Sequence, residues 1–368
     1  MKIYAFIKIF SGLLLATLLI FNGIFNLLMG EIFSEGMVIF VTILFLMLHL
    51  KLSSSIRRSA WPIFMAILGI ISYNCVIIAF DGLFYRFLFF YQYFLLLLII
   101  VLSSHEVENS YIVKIIIIFS CISSLFALSQ RLGFEILLPL ESEIRATGLS
   151  RSSLNLSGLL LLIFTLVNII YVNDIKKWLI LSIIFIGILS AGGRGAIVSA
   201  VLVVLLSNFA TGASFKTVVY VVCFLYLYIL IFGDWFTRAF STFDFVKDQS
   251  NIDRLGSYAE FLDQFSFFGE GIGTTSPALS RFGPTTGFES FALNTIYELG
   301  VPFLILLIIG FIFYFKNLKS QVRKNLFLFG ISIAPIFFGQ QMLGTPSVFC
   351  CLCLVYYLIV CNIHKVSF

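Results

Sequence analysis

Three arginines and two glutamates stand where an ionised side chain is expensive, and they suggest chemistry on an anion. Arg145 and Arg151 bracket the run Arg145-Ala-Thr-Gly-Leu-Ser-Arg-Ser-Ser-Leu-Asn155 at the threshold of an apolar stretch. Ser152 or Ser153 can cap the helix that begins there, and its N-terminal amides favour an anion beside Asn155. Arg194 is the apex of Ser190-Ala-Gly-Gly-Arg-Gly-Ala196, with no acidic residue between Asp174 and Asp234. The glycines Gly192, Gly193 and Gly195 permit a sharp hairpin whose amides can form an anion-binding concavity. Burying an arginine near bilayer depth costs roughly 2.5 to 3.5 kcal/mol, so Arg194 either reaches water at a hairpin tip or holds a ligand's phosphate.

Arg254 and Glu289 extend the set. Read at 100° per residue, Asn251 to Phe268 places Leu255, Tyr258, Ala259, Phe261, Leu262 and Phe265 on one arc and Asp253, Glu260 and Asp263 opposite. Arg254 falls inside the apolar arc, so it snorkels, pairs with a nearby acid or meets an anionic ligand. Glu289 precedes the next apolar run by one turn, while Asn294 and Glu298 lie within it. Glu298, among Leu, Ile and Phe, marks either function or a buried ion pair. Glu289 is a helix cap or a carboxylate available for proton transfer.

The elements that must position these residues are membrane spans. With 60% hydrophobic residues, 11% charged residues and a mean hydropathy of +1.09, the chain reads as an all-α polytopic integral membrane protein. Residues 1–368 form a single transmembrane domain, with no soluble domain, internal repeat or cleavable leader. About twelve spans are expected: Ile9 to Leu28, Met37 to Leu50, Trp61 to Phe80, Phe87 to Leu102, Ile112 to Leu128, Leu154 to Tyr171, Leu179 to Ala191, Ala196 to Asn208, Val218 to Phe232, Phe291 to Phe315, Leu326 to Phe338 and Val348 to Asn362. The one long polar segment, 233–289, carries eight acidic and four basic side chains and contains the amphipathic helix.

Charge sets the orientation. With both termini cytoplasmic, the inner side holds 14 of the 23 bases and only Glu106, Glu108 and Asp174 among the acids, so the long loop faces outward. Eight of the nine outward bases are arginine, whereas 11 of the 14 inward ones are lysine. Arginine is preferred where a planar fork must grip phosphate or carboxylate.

Other chemistries are poorly served. All seven cysteines fall within predicted spans and read as small apolar packers, and Cys350-Cys-Leu-Cys353 lacks a histidine partner apart from His364 on the opposite flank, so no metal site is expected. Gly269-Glu-Gly-Ile-Gly273 has no phosphate-loop lysine and reads as a turn. Nothing points to nucleic acid or to an organic cofactor.

At these residues the chain resembles the O-antigen polymerase and ligase superfamily, which includes the Wzy-type polymerases and WaaL-type ligases. The likeness covers roughly Glu141 to Gly310: Arg145-Ala-Thr-Gly with Asn155, the Gly-Gly-Arg-Gly hairpin, Arg254 ahead of the aromatic helix and Gly-Glu-Gly-Ile-Gly, and Glu289-Ser with Asn294 and Tyr-Glu-Leu-Gly300. The resemblance implies a GT-C-like, metal-independent membrane glycosyltransferase of the bacterial inner membrane, its active face periplasmic. It would act on undecaprenyl-diphosphate-linked oligosaccharides as donor and acceptor, with a chain-length-regulating copolymerase as possible partner. Arg145, Arg194 and Arg254 would bind the diphosphate, with Arg254 and Glu289 catalytic and Glu289 the base; Asn155, Asn294 and Glu298 would complete the substrate site. The ligase pattern has His-Asn at the start of the tenth span; this chain has Glu289 there, and His49, His105 and His364 all lie inward, which favours a polymerase. The alternatives are a ligase, and a lipid-linked oligosaccharide flippase or other transporter, which would call for charges along a central cavity and related halves.

Overall fold

A computed structural model of the chain describes residues 2–49, 61–81, 86, 90–102, 110–134, 145–171, 175–210, 233, 249–275, 288, 290–339 and 345–361. These are almost wholly helical: α1 (Lys2–Ile20), α2 (Asn22–Met29), α3 (Glu31–His49), α4 (Trp61–Asp81), α5 (Tyr91–Leu102), α6 (Ser110–Arg131), α7 (Ser153–Ile170), α8 (Ile175–Ala191), α9 (Arg194–Ala210), α10 (Gln249–Asp263), α11 (Phe291–Lys316), α12 (Ser320–Gly339) and α13 (Pro346–Cys361). Five of them, α3, α4, α6, α7 and α11, are long and apolar enough to cross a membrane, and the bent pair α1 and α2 makes up to six. Among the described residues every predicted span falls largely on helix; Val218 to Phe232 lies outside the described residues.

The bundle is organised around α7. All of its residues but Leu154 are buried, including Ser157, Thr165 and Asn168, which no single-sided amphipathic helix would permit. Helices α6, α8, α9, α12 and α13 pack on it, α8 also packs on α6, and α9 on α12. Cys350, Cys351 and Cys353 are buried among the apolar residues of α13 that face this core. On the periphery α11 pairs with α4, and its second half leaves Ile305, Leu306, Ile308, Ile309, Phe311, Ile312 and Phe313 exposed, as suits a lipid-facing surface.

Two helices are not continuous, and here the structure corrects the sequence reading. The expected first span, Ile9 to Leu28, turns by 83° between α1 and α2. The tenth, Phe291 to Phe315, breaks at Gly300, whose φ of 74° and ψ of 170° lie in a region essentially reserved for glycine. Both breaks expose backbone groups that a bilayer cannot hydrate, so each must find partners inside the protein.

Candidate functional site

The first break is filled by the segment 145–152. Asn22 and Gly23 open α2 and are buried; the Gly23 amide, one of the helix's uncommitted N–H groups, donates to the Leu149 carbonyl at 3.1 Å. Asn22 Oδ1 accepts the Arg151 amide at 2.8 Å. Residues 146–150 are all buried, which is unusual for a connection and requires that its backbone be satisfied from outside. Gln130 of α6 does part of this, accepting the Gly148 amide at 2.8 Å and donating to the Gly148 carbonyl at 3.3 Å. Ser123 accepts the Leu149 amide.

This placement brings two of the predicted arginines onto touching segments. The Ala146 amide donates to the Ser190 carbonyl at 3.0 Å, so the residue after Arg145 is hydrogen-bonded to the start of the hairpin that carries Arg194. The hairpin folds as a close turn, Gly192 at φ 68°, followed at once by α9 with Arg194 as its first residue. Gly193 presses so closely on the Ser157 side chain of α7 that a Cβ would collide with it. Arg194 is only 6% exposed, so the hairpin apex does not project into water. Arg145 is half-buried.

Asn155 and Arg151 belong to the same neighbourhood but are already engaged. Ser152 caps α7 through the Asn155 amide, and Asn155 Oδ1 accepts the Thr345 hydroxyl at 3.3 Å. Arg151 binds Glu31 at 2.6 Å and Glu35 at 3.6 Å, while Glu35 also accepts the Ser347 amide at 3.2 Å. Helices α3, α7 and α13 thus meet at one polar knot.

The second break has its own plug. Pro302 has no N–H, so the Glu298 carbonyl lacks its helical donor, and the Val301 amide is diverted to Phe267 at 2.9 Å. The turn 267–273 repairs both losses: Glu270 N–H donates to the Tyr297 carbonyl at 2.9 Å and Gly271 N–H to the Glu298 carbonyl at 3.0 Å. The two backbones come so near at Gly269 and Gly300 that a Cβ on Gly269 would sit 2.5 Å from the Gly300 nitrogen. The Gly-Glu-Gly-Ile-Gly stretch is therefore a turn, as read, and this contact dictates its first glycine, Gly269.

Around that plug lies a carboxylate site. Glu298 Oε1 accepts the Thr275 hydroxyl at 2.7 Å and the Thr275 amide at 3.2 Å. Asn74 of α4 accepts the Ile272 amide at 2.7 Å, and Arg86 donates to the Glu270 carbonyl at 3.5 Å while its charge acts on the Glu298 carboxylate.

The remaining predicted residues divide. Asn294 spends both ends of its amide on Phe288, accepting its N–H at 3.0 Å and donating to its carbonyl at 3.1 Å. Ser290, not Glu289, caps α11. Glu289 lies outside the described residues. Arg254 lies on α10, whose Phe261 packs edge-on to Phe288 at 5.4 Å, and Phe288 on Tyr297 at 5.3 Å; this stack ties α10 to the first turns of α11. On the apolar arc of α10 Phe261 is buried, while Leu255, Tyr258, Leu262 and Phe265 are exposed.

Sequence reasoning missed Asn22, Glu35, Asn74, Gln130 and Thr275. Asn22-Gly23 and Asn74 inside otherwise apolar runs were the available signals, since an amide at bilayer depth needs a partner. Comparison of the sequence with protein-family models and with curated proteins yields no match.

Proposed function

We propose that this protein is a membrane polysaccharide polymerase of the O-antigen type, moving a growing glycan from undecaprenyl diphosphate to a new lipid-linked repeat unit on the periplasmic face of the bacterial inner membrane. The observation that supports the reading is the backbone hydrogen bond from Ala146, next to Arg145, to Ser190 at the start of the Arg194 hairpin, which puts the two arginine-bearing segments in contact. Such a pair suits a diphosphate, which needs paired donors and positive charge that are in place before the reaction.

In this mechanism the bond between the sugar carbon and the diphosphate oxygen breaks as an acceptor hydroxyl forms the new glycosidic bond. Arg145, Arg194 and Arg254 stabilise the negative charge that grows on the departing diphosphate. The hydroxyl proton passes to a carboxylate, for which Glu289 is the candidate beside the Phe288 and Ser290 anchors. Energy stored in the lipid diphosphate drives the transfer. A twelve-span layout with both termini cytoplasmic, and a copolymerase that sets chain length, belong to the same proposal. Ligation to another acceptor is distinguished by which product disappears on deletion.

The test is chain length in cells. Arg194→Ala and Arg254→Ala abolish long-chain polysaccharide while single repeat units accumulate on lipid; Arg194→Lys, which keeps the charge but not the fork, is also impaired. Normal chain length in both alanine variants, at wild-type protein level, would refute the proposal. The two broken helices favour a second reading, a transporter of the lipid-linked oligosaccharide, since discontinuous helices build transporter sites. Reconstituted protein that moves substrate across vesicles without forming glycosidic bonds would establish that reading instead.

A further inference from the structure

We infer that α10 is an interfacial helix whose exposed apolar stripe, continued by Phe267 and Phe268, lies against phospholipid acyl chains on the side of the membrane away from Lys316. This placement follows from the spans and not from the transferase reading.

The helix has three faces. At 100° per residue, Leu255, Tyr258 and Leu262 fall within about 60° of one another. Phe261 lies about 100° to one side of Leu262 and Asp263 about 100° to the other, with Glu260 nearly opposite. Phe261 is the one buried side chain of α10 among its described residues, and it meets Phe288 just before α11. Glu260 and Asp263 are exposed, as suits a face turned to water. Leu255 and Leu262, however, are 59% and 73% exposed. A helix of 15 residues that is held to the protein by one buried ring is marginal in water, so its apolar face needs a cover.

The turn that fills the α11 break sets the depth of this face. From Val301 to Lys316 the helix rises about 24 Å at about 1.5 Å per residue, short of the ~30 Å thickness of the hydrocarbon. Lys316, Lys319 and Arg323 are all exposed and mark one boundary. The break at Gly300 therefore falls inside the other boundary, and any tilt of α11 sets it deeper. At that level the Phe267 carbonyl accepts the Val301 amide, and Phe267 and Phe268 are 54% and 63% exposed, with their rings edge-on at 5.2 Å. Side chains exposed at this depth meet acyl chains. They prolong past the break the exposed band of α11 that runs from Ile305 to Phe313. Since α10 ends at Asp263, a short link before Phe267, its stripe leaves the hydrocarbon at Leu262 and reaches the headgroups near Leu255.

Charge decides which part of the lipid holds the helix. Asp253, Glu260 and Asp263 outnumber Arg254, so α10 is net acidic and anionic headgroups do not attract it. Apolar area alone seats it.

The experiment uses the full-length chain in phosphatidylcholine vesicles, with the photo-crosslinker p-benzoylphenylalanine in place of Leu255, Leu262, Phe268 or Glu260. Irradiation followed by mass spectrometry gives phospholipid adducts at 255, 262 and 268, and at least tenfold fewer at 260. Attachment lies deepest along the acyl chain at 268 and nearest the glycerol at 255, and adding phosphatidylglycerol leaves the yields unchanged. The double variant Leu255→Asp, Leu262→Asp carries no probe and speeds amide exchange across 249–263 about tenfold in the same vesicles, while α7 keeps its protection. Capture of a second copy of the chain at 262, adducts as frequent at 260 as at 262, or unchanged exchange in the double variant overturns the placement.

Discussion

Replacing Gly300 by alanine tests whether the broken helix and its plug form one unit. The added Cβ would collide with the Phe268 carbonyl carbon and lie 2.6 Å from both the Gly269 nitrogen and the Phe267 oxygen, all backbone atoms that cannot rotate aside. Alanine at φ 74° and ψ 170° adds about 1–3 kcal/mol of backbone strain. Expelling the turn also breaks the bonds from Glu270 to Tyr297, Gly271 to Glu298 and Val301 to Phe267, each worth about 0.5–1.5 kcal/mol net. The collision and the strain oppose the roughly 1.5–4.5 kcal/mol that these three bonds contribute to the seated turn, so the turn is released while the rest of the bundle stays folded. Hydrogen exchange followed by mass spectrometry on residues 264–275 reads this directly: the amides of Glu270 and Gly271 lose about one to three orders of magnitude of protection, at about 1.4 kcal/mol per decade. Gly256→Ala on α10, where a Cβ meets nothing within 4 Å, is the control and leaves exchange in 264–275 unchanged. Wild-type protection in Gly300→Ala would show that the 267–273 turn is not seated in the break.

Two further outcomes follow from the same contacts. Asn74→Ala leaves the Ile272 amide buried without its acceptor and costs about 1–3 kcal/mol, read as a lower melting temperature in detergent and faster exchange of the 270–275 amides. Phe261→Ala removes the ring that joins α10 to Phe288 and costs about 3 kcal/mol of local stability, measured as faster proteolysis within 249–268, whereas Leu262→Ala, at a position 73% exposed, stays within about 0.5 kcal/mol.

Local signals were legible; cross-chain ones were not. The helices read correctly because hydropathy and length are properties of the run itself, and the Ser152 cap and the Gly-Glu-Gly-Ile-Gly turn follow from residue types at fixed offsets. The break at Gly300 escaped notice because averaging over a long apolar run conceals one backbone torsion, although Gly300 followed by Pro302 was its mark. The ion pairs of Arg151 are hidden for a different reason: its carboxylate partners, Glu31 and Glu35, lie in another helix far away in the chain. Asn294 entered the substrate site through the family resemblance, and its clasp on the Phe288 backbone is a contact that residue type and position in an apolar run do not announce.

The seating of both breaks by distant segments imposes an order on assembly. Asn22 waits for a partner 129 positions later in synthesis, and Asn74 for one 198 positions later. Until those residues emerge, the carbonyl oxygens of both side chains lack their long-range donors, although Asn74 already donates within its own helix to the Ile70 carbonyl, so the early helices reach their final contacts only after the later segments follow. Contacts of such long range form slowly because loop closure precedes their reward. The kinks are thus the last features of the bundle to form, and a chain halted before Ile272 would hold α4 without the bond that ties it to the rest.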